Sequence, residues 1–321
     1  MEAASKKFPI LFQTLNTFAA SEVDGVRGVI RITSKNPGPT VGISICTHGN
    51  EPSGLAVAHY LLGEYDLRTR LQKGTVYLVL NNLEAVMNYF VGAEAGSKEK
   101  YRYIDFNMNR LPSDIHKSDE YEVRRARELL PIWERFDIGL DIHSTRQESE
   151  PMIINGSELF HHSLVKGFPI ANVISDIVAV QVGKPAIAFY GHGNHTQTLG
   201  IETGGHENAG SFERAKTCTV ALLESVGLIL NGGINTSHVY NEYKVFSSVI
   251  FPDQSYLCAR YFPNYEFVRA GEVLARGDGA DIVAPQDCHV LFAPKETEVP
   301  TWNSTAEEAL FLAYPVREFR V

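Results

Sequence analysis

Val41-Gly-Ile-Ser-Ile-Cys-Thr-His48-Gly-Asn-Glu51-Pro-Ser-Gly54 passes from an apolar run into a polar turn and then into the start of a helix. Its first seven residues read as a buried strand, and proline at an opening position marks a helix over Pro52–Glu64. The same alternation continues outward. Thr75–Leu80, Ile138–Ile142, Ala186–Tyr190 and Leu199–Glu202 are short β-rich runs, and Asp119–Phe136 reads as a helix with Glu-Arg neighbours on an exposed face. Strands interleaved with helices predict an α/β sheet covered on both faces, with functional groups where strands end and loops begin.

After the turn-rich Asn231-Gly-Gly-Ile-Asn235 the texture changes. Val245–Phe251, Tyr256–Tyr261, Glu266–Val268, Ile282–Ala284 and His289–Ala293 are short β runs separated by Gly, Pro, Asn and Asp. The expected organisation is therefore an α/β domain over residues 1–235 and a smaller all-β domain over 236–321. A chain of 321 residues allows this, since single cores rarely exceed about 250–300 residues.

The net charge of −9 comes without any Lys/Arg-rich block, which argues against nucleic acid as a partner. No segment approaches the roughly 20 apolar residues that span a bilayer. The run Phe8–Phe12 is too short for the core of a signal peptide. Cys46, Cys218, Cys258 and Cys288 lie far apart with no CxxC pair and read as buried free thiols. Together these features predict a soluble cytoplasmic protein.

His48 and Glu51 stand three apart across a first helical turn, a spacing that lets an imidazole and a carboxylate converge on one ion. A second strand runs straight into His143, with Asp141 on the same face as an orienter for it. Two histidines and one glutamate leave a coordination position open, as catalytic rather than structural zinc sites do. The plainer alternative makes His48 a turn residue and Glu51 a favourable charge at a helix N-terminus. Leu199-Gly-Ile-Glu202 is likewise a strand entering a glycine-rich turn, a good place to present one carboxylate.

Four ordered blocks resemble the succinylglutamate desuccinylase/aspartoacylase family of zinc carboxypeptidase-like amidohydrolases. They are His48-Gly-Asn-Glu51, Arg102-Tyr-Ile-Asp-Phe-Asn-Met-Asn109-Arg110, Asp141-Ile-His143-Ser-Thr145 and Gly200-Ile-Glu202-Thr-Gly204, and Tyr121-Glu-Val-Arg-Arg125 is also similar. The resemblance implies a mixed-sheet catalytic domain flanked by helices, with one Zn²⁺ per chain held by His48, Glu51 and His143. It implies Glu202 as general base, Arg102 as the group that polarises the scissile carbonyl, and Asn109 and Arg110 as the clamp on substrate carboxylate. The substrate implied is a small N-acyl amino acid, and a homodimer or larger assembly is implied as well. Mn²⁺ or Co²⁺ can share such ligands.

The chain departs from the family pattern in two places. Asn107 stands where relatives carry Asp, so a negative group behind the metal ligands is expected to be missing. The loop Gly191-His-Gly-Asn-His195-Thr-Gln-Thr198 has none of the arginine that reads a side-chain carboxylate in aspartoacylase. His192, His195, His161, His162, His206 and Arg146 are further candidates for a second metal, a proton relay or the pocket wall. The tail around Ala270–Arg276 and Val283–Leu291 resembles lipoyl and biotinyl carrier domains without their modified lysine, and is expected to wall one side of the active-site mouth. A carboxypeptidase acting on peptides, or an inactive binding module, are the competing readings.

Overall fold

The computed structural model describes residues 4–92, 101–146, 148–191, 195–230, 232, 238–294 and 307–321. His192 and most of the turn at 231–235 lie outside the described residues. The chain forms two compact units, one of residues 1–171, 183–240 and 320–321, the other of 172–182 and 241–319.

The first unit is a mixed α/β structure. Its strands are β1 (Val29–Thr33), β2 (Thr40–Ile45), β3 (Thr75–Leu80), β4 (Ile138–Thr145), β5 (Met152–Asn155) and β6 (Gln197–Gly205), in the order β5-β6-β4-β2-β3-β1. The central strands β3, β2, β4 and β6 run parallel, whereas β1 and β5 pair antiparallel at the two sides. Burial dictates this. Val41, Ile43, Ile45, Val76, Leu78, Leu80, Leu140, Ile142, Leu199 and Ile201 are all buried, the near-continuous apolar run that a parallel sheet demands.

Among its described residues the longer helices are α1 (Pro9–Ala19), α2 (Ser53–Leu62), α3 (Leu83–Val91), α4 (Tyr121–Trp133) and α5 (Ala209–Ser225). The run Phe8–Phe12 turns out to open α1, where Leu11, Leu15 and Phe18 recur at helical spacing and are buried. Helix α2 lies against β2 and β4, and α5 against β6.

One local expectation is corrected and another is refined. Ala186–Tyr190 is not a strand: Ala186–Phe189 is a 3₁₀ turn opening at Pro185, and so short an apolar run carries no periodicity to tell the two apart. Glu122 and Arg125 of α4 do not share the exposed face on which Arg124 and Glu128 lie. Glu122 is 0% exposed and Arg125 3%, because Arg125 donates to the backbone carbonyls of Asn81, Arg27 and Leu80.

The second unit is β-rich but draws in Asn172–Ser175, which pairs parallel with Val239–Ile250, and the short helix Ile177–Val180. Cys288–Leu291 pairs antiparallel with Glu266–Val268 and with Glu308–Arg320. Leu257–Cys258, Val273–Arg276 and Ile282–Val283 form a small antiparallel sheet. Phe251, Tyr256, Phe262, Leu274, Val290 and Leu312 make its core.

Candidate active site

The parallel strands end at one edge of the sheet, and the chemistry-bearing residues gather there. After β2 the chain turns sharply through Cys46, a non-glycine residue in the left-handed region at φ 52°. That turn delivers Thr47, His48, Asn50 and Glu51, all buried, ahead of α2. Gly49 is required here. A Cβ on it would stand 2.4 Å from the backbone of Ala85 and of Tyr101, and its own N–H donates to the Arg102 carbonyl at 2.8 Å.

Strand β4 carries Asp141 and His143, and the register sets His143 beside Glu202 of β6. Side chains at paired positions of neighbouring strands share a face, so the sheet itself puts an imidazole and a carboxylate next to each other.

His48, Glu51 and His143 each offer one ligand atom, and these atoms lie within 4.8 Å of one another. His48 Nδ1 is 2.7 Å from Glu51 Oε1, and His143 Nδ1 is 3.0 Å from Glu51 Oε2. Each imidazole has an oxygen behind its Nε2: His48 is hydrogen-bonded to Asn107 Oδ1 at 3.0 Å, and His143 makes an ion-pair contact with Asp141 Oδ2 at 3.0 Å. Both rings are therefore turned to present Nδ1. The donor set fits a divalent cation. Burial, and then the Arg102 charge, lower the His48 pKa to about 4, leaving the ring neutral with its proton on Nε2. An Nδ1 lone pair then faces a carboxylate oxygen, a contact that a cation resolves.

The negative group is absent behind His48 as expected, and Asn107 stands there. It carries no charge, yet its Oδ1 accepts from His48 Nε2 and also from the Asn109 N–H at 2.9 Å. Behind Asp141 lies a buried chain: Thr47 Oγ1 donates to Asp141 Oδ1 at 2.8 Å, and Asn81 Nδ2 donates to Thr47 Oγ1 at 2.8 Å. Burial opposes a charge on His143, but the carboxylates of Asp141 and Glu51 prevail and hold its pKa well above the ordinary range. Glu51 is buried too, and the two histidines keep its carboxyl well below the usual range.

Burial raises the Glu202 pKa to about 8, and its Oε2 has no hydrogen-bond partner among the described residues. Arg102 is partly exposed and donates to Glu51 Oε1 at 2.9 Å. Asn109 and Arg110 sit on the 3₁₀ turn Met108–Arg110, half-buried, with Arg110 Nη1 donating to the Asn109 carbonyl. His206 is 8% exposed, shares a hydrogen bond through Nδ1 with Ser144 Oγ at 2.9 Å, and is pushed to a pKa of about 4 chiefly by burial. Arg146, His161 and His195 are exposed, and His162 is partly so.

Thr47, Asn81, Ser144 and Glu122 also serve the site without having been singled out as site residues, although Thr47, Ser144 and Glu122 fall inside quoted stretches. Ser144 N–H donates to Glu51 Oε2 at 3.2 Å, so it stands beside the ligands. Its position next to His143 was the available signal.

Residues 37–215 match the model of the succinylglutamate desuccinylase/aspartoacylase catalytic domain. An N-acyl-aromatic-L-amino acid amidohydrolase (carboxylate-forming) of Danio rerio is 34% identical over 142 residues, 38% of this chain and 37% of its own length. A second zebrafish protein of that name is 41% identical over 102 residues, 27% of each chain, so the matches span well under half of these relatives. The Mus musculus protein of the same name is 23% identical over 68% of this chain and 71% of its own. Among solved structures, succinylglutamate desuccinylase of Vibrio parahaemolyticus superposes with a TM-score of 0.72 at 16% identity, covering 96% of this chain and 95% of that one. Murine aminoacylase 3 gives 0.60 at 21% identity, covering 90% and 98%.

Proposed function

Because the chain belongs to the succinylglutamate desuccinylase/aspartoacylase family, we propose that it is a zinc-dependent amidohydrolase releasing an amino acid from its N-acyl derivative. The observation that carries this reading is the convergence of His48 Nδ1, Glu51 and His143 Nδ1, with Glu202 in register beside His143. When bound by these three residues, zinc supplies Lewis acidity that acidifies water and polarises the acyl carbonyl.

The protein's own groups do the rest. Asn109 and Arg110 hold the substrate carboxylate, an Arg fork matching its two oxygens. Arg102 moves from Glu51 to the carbonyl oxygen, where negative charge develops. Glu202 takes a proton from the attacking water as its oxygen bonds to the acyl carbon. It then delivers that proton to the nitrogen as the C–N bond breaks, giving a free acid and an amine. A carboxyl raised toward neutrality by burial is suited to both transfers.

The substrate side chain is neutral in this reading. The stretch Gly191–Thr198 has no arginine to pair with a carboxylate, and five relatives named for N-acyl-aromatic amino acids support an aromatic group there. The β-rich tail is read as the carrier-like domain of the family, beginning near residue 236. Four free, buried thiols suit a reducing, cytoplasmic setting. Among the described residues no helix is long and apolar enough to cross a membrane.

The test is metal analysis of purified protein together with hydrolysis of N-acetyl, N-formyl and N-succinyl amino acids. About one zinc per chain and a preference for aromatic over acidic side chains are expected. Absence of bound metal together with absence of turnover would overturn the proposal.

A further inference from the structure

Glu122 is a carboxylate with 0% exposure, and its partners are all N–H groups of other segments. Its Oε1 accepts from the Ile104 backbone N–H at 2.6 Å and from Asn82 Nδ2 at 3.0 Å. Its Oε2 accepts from the backbone N–H groups of Asp105 at 3.0 Å and Phe106 at 2.9 Å. The contact is reciprocal: Asp105 Oδ2 accepts the Tyr121 N–H at the start of α4, at 2.8 Å. Asn82 ties in a third segment, because its Oδ1 accepts the Ala85 N–H at the start of α3. A charge in the first turn of a helix, met by several N–H donors, is a favourable place for a buried anion.

These contacts fall in the middle of the segment running from Arg102 to Arg110. Two residues upstream of Ile104, the Arg102 carbonyl accepts from Gly49, and the Arg102 guanidinium reaches Glu51. One residue downstream of Phe106, Asn107 receives His48 Nε2 and the Asn109 N–H. The segment is irregular apart from one 3₁₀ turn, so no ladder of sheet or helix hydrogen bonds fixes its middle. Glu122 supplies what secondary structure does not.

From this geometry we infer that Glu122 is a positioning residue. It fixes the arm that carries Arg102, Asn109 and Arg110, and thereby sets where substrate carboxylate and scissile carbonyl lie against the metal ligands. The inference rests on the amidohydrolase reading for its substrate, but the clasp itself can be read without turnover. Glu122→Gln is nearly isosteric. It removes the charge and turns one acceptor oxygen into a donor facing N–H groups, so about half of the contacts lose their acceptor.

The experiment compares wild type, Glu122→Gln, Arg110→Ala and the double variant. Amide exchange of Ile104, Asp105 and Phe106 is expected to quicken more than tenfold in Glu122→Gln, while zinc content stays at about one per chain. In kcat/KM the loss is about 10²-fold, the scale of a 1 Å misplacement. With Arg110 already removed, the same change costs at least fivefold less, since the group being positioned is gone. A purely structural brace would instead give equal losses in both backgrounds. Additivity, or unchanged exchange across 104–106, overturns the inference. If wild type hydrolyses no N-acyl amino acid, the functional reading fails. Calorimetric binding of N-acetyl-phenylalanine to the same four proteins then decides the clasp by the same non-additivity. Should Glu122→Gln fold poorly, the exposed partner substitution Asp105→Ala loosens the same arm and is expected to lower kcat/KM three- to tenfold; no change there also counts against the inference.

Discussion

His143 and His48 both turn Nδ1 toward Glu51, but the regions behind them are built differently. Behind His143 stands a charged acceptor, Asp141, on a central parallel strand. Asp141 is braced in turn by Thr47 and Asn81, all of them buried at the ends of neighbouring strands. Behind His48 stands a neutral acceptor, Asn107, on the irregular arm that Glu122 holds. The sheet side raises the pKa of its histidine through two carboxylates, whereas burial and Arg102 lower that of the other. The difference suggests a division of labour that follows from the proposed function: the sheet edge would govern metal affinity, and the arm would couple the metal site to substrate.

The largest expected effect is on the pH dependence of zinc binding. His143 is raised above its unfolded value of about 6.5, so its charge stabilises the metal-free protein below that pH, and the contribution is lost as pH rises through the folded value. Zinc competes for the same Nδ1. Its affinity should therefore fall as pH drops below the folded value, by about tenfold per pH unit for each proton displaced. Competition titration against a chelator measures this, and a flat profile would place no proton on His143.

Next in size, Asp141→Ala should weaken zinc binding about 10- to 100-fold, the usual cost of removing an outer partner of a ligating histidine. It should also flatten that pH profile, because the larger of the two charges holding the proton is gone. Asn107→Ala, by contrast, should weaken zinc only several-fold and fall more heavily on KM, since its Oδ1 also anchors Asn109. The smallest effect is Asn107→Asp. A negative charge behind His48 is expected to tighten zinc a few-fold, and equal zinc affinities for Asp and Asn at 107 would show that charge there does not matter.

The same contrast explains what could be read from the sequence. His48 and Glu51 stand where an apolar run meets a turn, whereas His143 and Glu202 lie inside β4 and β6, which run on to Thr145 and Gly205 beyond the strand ends read at Ile142 and Glu202. The arm was harder. Asn107 reads as a lost charge because a side-chain type does not reveal that an amide oxygen can replace a carboxylate as acceptor. Glu122 and Arg125 look like solvated helix positions, since their partners are backbone groups of segments far away in sequence. The join of Asn172–Ser175 to the second unit is likewise a long-range pairing that local pattern does not encode.

The most direct test of the central claim, a three-ligand metal site served by Glu202, is the turnover rate of Glu202→Gln loaded with zinc. Unchanged zinc content of about one per chain is expected, with kcat lower by about 10²–10⁴-fold on the best N-acyl amino acid. A variant that hydrolyses that substrate at a near wild-type rate would contradict it.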